Sequence, residues 1–325
     1  MATFLTIAYM TNRKDPRIQW FFDSLYRELS GDYGQVKVVV VDYYAQPADA
    51  WTDGDVEQRQ AAFSALARGP FKHVPPKPTV WQGRYRLAKI NYFAAANARN
   101  TALCLAPDGY IVFVDDLSVL LPGWLGQVYD CVSRGEIAQG TYSKVLNLQI
   151  KDGEVVNYVF HPHGRDSRLE HAPKGDGPHK SGGGWSFGCS IAMPVEALLQ
   201  VNGYDEDCDS MGFEDVICGI MLERQGYQLM FCPKMRTLES EELHFVEVPF
   251  ARIIKKLKDP NSLYPDSSHA ILDWVLKGRR IMAPNYQNMR DTRSKVLAGE
   301  PFPMVRVPEH DWRDSQPIRE MDQTR

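Results

Sequence analysis

The chain has 325 residues, 44% hydrophobic and 24% charged, with a formal net charge of −4. That composition suits an ordinary globular protein with a substantial core, and the charge gives no global pull toward nucleic acid or anionic membrane. No stretch approaches the roughly 18–20 uninterrupted apolar residues that span a bilayer. The six cysteines carry no CxxC pair and no zinc-like spacing with histidine, so they read as reduced, mostly buried thiols. The N-terminal apolar run is short and lacks a basic leader, which predicts a first buried strand, not a signal peptide, and a cytoplasmic location.

Residues 3–9 form a short β-prone run, and TNRKDP turns the chain into a helix over 16–29. There Ile18, Phe21, Phe22, Leu25 and Leu29 share one face. VKVVVVD follows, apolar on both faces and ending in Asp42. Strand, helix and strand in this order predict parallel pairing with a right-handed crossover. Residues 46–80, rich in Pro, Ala and Asp, read as an irregular excursion, and 86–105 as a helix. GYIVFVDD is a further buried strand, PGW starts a helix at about 123–134, and 136–160 reads as one or two strands around the KDGE turn. Residues 161–184 lack apolar periodicity and are expected to form a mobile loop. A strand in WSFGCSIAMP, helices over 194–201 and 214–225, and a strand in GYQLMFCP come next. Residues 250–279 read as helical, and the charged, proline-containing tail after about 285 as wrapping or frayed.

Four constellations carry chemistry. If the first two strands pair, Thr11-Asn12-Arg13 and Asp42 lie side by side at carboxyl strand ends, where open α/β sheets bind ligands. Asp42 can accept from a nucleobase N–H, with Thr11 and Arg13 toward ribose and phosphate, or it caps the following turn. Asp115 and Asp116 emerge together from a buried strand, suiting a divalent cation on a diphosphate or a cap. Glu214 and Asp215 open a helix, as a general base facing an acceptor hydroxyl or as dipole-favoured caps. His244 is a metal ligand or a bland surface or core histidine.

Taken in order, Ala98-Arg99-Asn100, Phe113-Val114-Asp115-Asp116, Pro122-Gly123-Trp124-Leu125, Gly203-Tyr204-Asp205, Gly212-Phe213-Glu214-Asp215, Gly226-Tyr227, Cys232-Pro233 and His244 resemble the GT-A glycosyltransferases. The likeness is to family 2 and to the galactosyl- and N-acetylgalactosaminyltransferase C-terminal motifs. It covers about residues 4–245. It implies a Rossmann-like three-layer α/β/α domain over 1–249 with a mostly parallel central sheet, in which 161–184 is a lid, and a helical extension over 250–325. It further implies a nucleotide pocket of Thr11, Asn12, Arg13 and Asp42, with Arg99, Asn100 and Asp115 as further donor contacts. Asp115, Asp116 and His244 would hold Mn²⁺ or Mg²⁺, Asp215 with Glu214 beside it would be the base of an inverting transfer, and Gly184 and Trp185 would line the sugar pocket. The sequence departs from the family at Leu117, where the Asp-x-Asp metal motif has its second acid; Asp116 could take over coordination, and Asp115 could contact ribose instead.

The implied donor is a nucleotide sugar, a UDP-sugar first, and the acceptor a saccharide, a glycoconjugate or DNA carrying a hydroxymethylated base. The DNA alternative draws on Arg165, Arg168, Lys174 and Lys180 as phosphate contacts. A nucleotidyltransferase would share the strand-end acids but normally has a Gly-rich basic loop, and TNRKDP has no glycine. A degenerate, non-catalytic nucleotide-sugar or carbohydrate-binding protein is suggested by Leu117.

Overall fold

The computed structural model describes residues 4–45, 56–79, 81–82, 94–209, 212–244, 268–285 and 287–303. Strand β1 (Leu5–Thr11) pairs in parallel with β2 (Val36–Asp42) on one side and β4 (Tyr110–Asp115) on the other. Strand β3 (Phe71–Val74) extends this parallel set beyond β2. Strand β9 (Ser190–Pro194) joins antiparallel to β4, and beyond it lie β6 (Ile137–Lys151), β10 (Leu229–Ser240) and β5 (Ser118–Leu120), giving the order β3-β2-β1-β4-β9-β6-β10-β5. Strand β7 (Glu154–Arg165) pairs with β6, and β8 (His179–Ser181) with β10.

The central strands alternate between two cores. Leu5, Ile7, Tyr9, Val38, Val40, Val112 and Val114 meet helices α1 (Ile18–Leu29) and α4 (Trp124–Ser133). Ala8, Met10, Val39, Val41, Ile111 and Phe113 meet the opposite layer: α3 (Ala95–Leu105), α6 (Val195–Gln200) and α7 (Glu214–Arg224). Coverage of both faces is why these strands are continuously apolar instead of alternating with polar residues. The expected three layers are present.

Three stretches depart from the sequence expectation. Within 46–80, α2 (Val56–Leu66) and β3 are regular, because Phe63 is buried and β3 finds β2 to pair with; residues 46–55 and 80 lie outside the described set. In 161–184, β7 runs on to Arg165, and α5 (Arg168–His171), β8 and a single turn at Gly183–Trp185 follow. The anchor there is polar, so apolar periodicity could not reveal it: buried Arg168 pairs with buried Asp166 and donates to Gly140 O (2.6 Å) and to Trp185 O. In the extension, α9 (Ser268–Leu276) and α10 (Met289–Leu297) are helical, and Ile271, Val275 and Met289 join the core that contains α3 and α7. Residues 83–93, 250–267 and those beyond 303, on which parts of the expected helices and tail fall, lie outside the described set. The KDGE turn is a two-residue hairpin whose Asp152 and Gly153 both have positive φ (52° and 77°), as a tight β-hairpin requires.

A cleft with two pairs of acids

Register brings the predicted strand-end residues together. Thr11 stands opposite Asp42, and Met10 opposite Asp115, all at carboxyl ends of parallel strands. Beside them opens a cavity of about 330 Å³, lined by Asp115, Arg99, Glu214, Asp215 and His244 from the predicted set.

Each acid pair divides. Asp116 is the acid that turns inward: Thr11 Oγ1 donates to its Oδ2 (2.8 Å) and Arg13 Nε to its Oδ1 (2.9 Å). The same arginine donates to Leu243 O (3.0 Å) and lies 3.4 Å from His244 Nδ1, tying the short helix α8 (Glu241–His244) to the end of β4. Asp116 therefore does not line the cavity with Asp115 as the predicted metal set required, because both of its oxygens serve the Thr11–Arg13 clamp. Asp115 is 41% exposed, and burial of the site together with repulsion from Asp116 and Glu214 raises its pKa against the pull of Arg99.

At the head of α7, Glu214 Oε1 accepts from Arg99 Nη1, and Arg99 Nη2 reaches Asp115 Oδ1 at 3.5 Å. Burial works to lower the Arg99 pKa, but the surrounding acids, Glu214 first, outweigh it and hold the guanidinium charged. Asp215 lines the cavity with Glu214 but has no arginine hydrogen bond of its own. Its Oδ2 accepts from Gly188 N (2.8 Å) and its Oδ1 from Val216 N (2.7 Å). Burial first, then repulsion from Glu214, push its pKa up to about 6, into the range where a carboxylate can collect a proton near neutrality. Phe213 precedes this pair with φ 70° and Leu117 follows the other with φ 60°, left-handed conformations that non-glycine residues rarely adopt.

Other predicted residues serve elsewhere. Asp42 is fully buried, accepting from Arg59 Nη2 (3.1 Å), His73 Nε2 (2.8 Å) and Tyr44 N (2.9 Å), so its oxygens are committed to protein donors, not presented to a base. Arg59 also donates to Arg13 O (2.8 Å), carrying this network to the clamp. Asn12 is buried, and its backbone N–H supports the charged form of Asp116. Asn100, predicted as a donor contact, is a latch: it accepts from Tyr204 N (2.8 Å) and donates to Tyr204 O (2.9 Å) and Glu206 Oε1 (2.7 Å). Gly184 and Trp185 do not line the cavity; the Trp185 ring stands edge-on to Phe231 at 5.1 Å. Phe187 and Gly188, two and three residues after Trp185, take their expected place.

Sequence reasoning missed Arg59 and His73, because their segment was read as irregular. It also missed Tyr142, Lys144, Phe187 and Glu239 in the cavity wall. Tyr142 and Phe187 meet edge to face at 6.0 Å, and Arg168 lies 4.2 Å over the Phe187 ring, so the arginine suggested as a DNA contact is spent inside the protein. Glu239 lies on β10, and burial first, then repulsion from Asp115, push its pKa up to about 8. The strand read from the sequence, GYQLMFCP, ends before Glu239, and the structure carries β10 on to Ser240.

No family model and no curated protein matches the sequence. Among solved structures, GalNAc-T7 with UDP, GalNAc and Mn²⁺ is similar over 93% of this chain at 12% identity, with a TM-score of 0.51. The chain spans 59% of that protein's length. Two further matches have lower scores. The mannosyltransferase PcManGT from Pyrobaculum calidifontis, in complex with GDP-Man and Mn²⁺, has 17% identity, covering 74% of this chain and 57% of that one, with a TM-score of 0.44. S. aureus TarS residues 1–349 in complex with UDP has 12% identity, covering 73% and 60%, with a TM-score of 0.47. The fold is the GT-A fold that the motifs resemble. No described helix is long and apolar enough to cross a membrane.

Proposed function

We propose that this chain transfers a sugar from a nucleotide-diphosphate donor to an acceptor hydroxyl, with inversion at the anomeric carbon. The observation that carries the reading is Asp215: a half-buried carboxylate at the head of α7, facing the cavity, with a pKa pushed up to about 6. It is held in place by the Gly188 and Val216 amides. An acceptor hydroxyl beside it hands over its proton as its oxygen attacks, and the carboxylate takes that proton. Arg99 holds Glu214 in place, and Glu214 in turn raises the basicity of Asp215 by repulsion. The edge-to-face Tyr142 and Phe187 give the cavity an apolar wall of the kind that sugar C–H groups pack on.

A divalent cation, Mn²⁺ or Mg²⁺, fits the open acid at the end of β4. Asp115 keeps its carboxylate in the cavity, and His244 lines the same wall. Among the described residues no three His, Cys, Asp or Glu side chains converge as a ready-made metal cage. Such ions are commonly held by one or two carboxylates together with substrate phosphates. Bound there, the ion would neutralise charge developing on the leaving diphosphate.

The cation-linked donor is tested by thermal unfolding with UDP-, GDP- and other nucleotide sugars, each with Mn²⁺ and with EDTA. A true donor at about 100 times its dissociation constant should stabilise the chain by roughly 2.7 kcal/mol. A Mn²⁺-dependent shift confined to one nucleotide class supports the transferase reading and names the base. A flat panel sinks it and leaves a fold without donor binding.

A further inference from the structure

We propose that Glu239 is the second carboxylate of the cation seat, supplied from β10 in place of the acid missing at Leu117. The inference rests on the transferase reading of the cavity. Leu117 has no side-chain oxygen to offer; that side chain is 1% exposed, and its backbone is pinned on both sides. Its N–H donates to Pro16 O (3.2 Å), and its carbonyl accepts from Ser240 N (3.4 Å). That second bond is informative. It joins the empty motif position directly to the residue after Glu239, and the β5–β10 register sets Glu239 opposite Ser118, the residue after Leu117. The carboxylate that the β4 turn lacks is thus offered by the neighbouring strand at the same level.

Glu239 is placed for a ligand and not for a structural role. It is 8% exposed, it lines the cavity with Asp115, and its Oε1 is buried with no hydrogen-bond partner among the described residues. An unpartnered acceptor at that depth costs free energy unless something binds it. The nearest strand-register cation, Lys144, sends its Nζ to Glu241 at 3.0 Å. Hard divalent ions take carboxylate oxygens of this kind.

The test is Mn²⁺ binding to the whole chain, followed by the electron paramagnetic resonance signal of the free ion, without nucleotide and with saturating UDP or GDP. Glu239→Gln should weaken Mn²⁺ at least about tenfold, the lower end of what losing even a supporting group costs. Glu239→Asp should recover part of that loss. Circular dichroism and melting in EDTA should show both variants folded, since Gln keeps the shape. Unchanged Mn²⁺ affinity in Glu239→Gln overturns the proposal, as does a wild-type chain that binds no Mn²⁺ under any of these conditions. Mn²⁺ binding that depends on Glu239 in a chain that transfers no sugar would leave this assignment standing and remove the transferase reading alone.

Discussion

The end of β4 and the head of α7 present the same sequence feature, two adjacent acids, and resolve it in the same way. In each pair one carboxylate is tied closely to a buried arginine, and the other lines the cavity without so close a cation. Arg13 and Thr11 take Asp116, leaving Asp115; Arg99 takes Glu214, leaving Asp215. The surroundings then differ. Asp115 is 41% exposed and has Arg99 no nearer than 3.5 Å, which leaves its carboxylate open to the cavity. Asp215 is gripped by two backbone amides and set against Glu214, an arrangement for accepting a proton. Adjacent acids thus acquire different surroundings from which donors reach them, and the proposed function gives them separate tasks. Left-handed Leu117 and Phe213 flank the two pairs, each such residue costing of the order of 1–3 kcal/mol that the surrounding packing must offset.

The sharpest way to break the comparison is to remove Asp215, the proton acceptor of the proposed function. Asp215→Asn should lower kcat by roughly 10²–10⁴-fold while nucleotide-sugar binding, followed by calorimetry, stays close to wild type. Equal loss of both would make Asp215 a structural acid. The same residue sets the pH profile. Because its folded pKa lies near 6, above the ordinary carboxylate value, the proton is retained in the fold up to that pH. Its contribution to stability is complete below about pH 4 and is lost as pH rises through about 6. Activity runs the other way, rising as pH climbs through about 6 and levelling above it, and that break should vanish from the residual rate of Asp215→Asn.

Next comes the arginine that separates the α7 pair. Arg99→Met leaves Glu214 buried without its cation, and urea unfolding should show a loss of about 3–5 kcal/mol. Arg13→Met should cost less, since Asp116 keeps the Thr11 hydroxyl. A larger loss for Arg13 would reverse the ranking of the two clamps. The smallest effect concerns the space Arg99 occupies. A Cβ on Gly188 would overlap its guanidinium, so Gly188→Ala should cost about 1–3 kcal/mol and also disturb the amide that holds Asp215. A neutral Gly188→Ala would mean that Arg99 can retreat, and that its position does not depend on this glycine.

Much of the fold was legible because the strands are buried on both faces. VKVVVVD and YIVFVDD have no other stable home than a covered parallel sheet, and their terminal acids mark the carboxyl edge where the cavity lies. The α7 acids and His244 were legible as ordered motifs along the chain. Helix α2 and strand β3 were not, since a short strand and a weakly amphipathic helix gain their order from neighbours far away in sequence. With them went Arg59 and His73, and so the fate of Asp42.

By itself, then, the sequence determined the three-layer class, the strand ends that carry the acids and the candidates at Asp115 and Asp215. Only the tertiary structure decided which acid of each pair stays available, that Asn100 latches a turn, and that Phe187, Tyr142 and Glu239 enter the wall. The physical reason is that composition and period fix which face of an element is buried. Whether a charge is neutralised depends instead on a partner within about 4 Å, and in the two acid pairs that partner is an arginine from as far as 115 residues away.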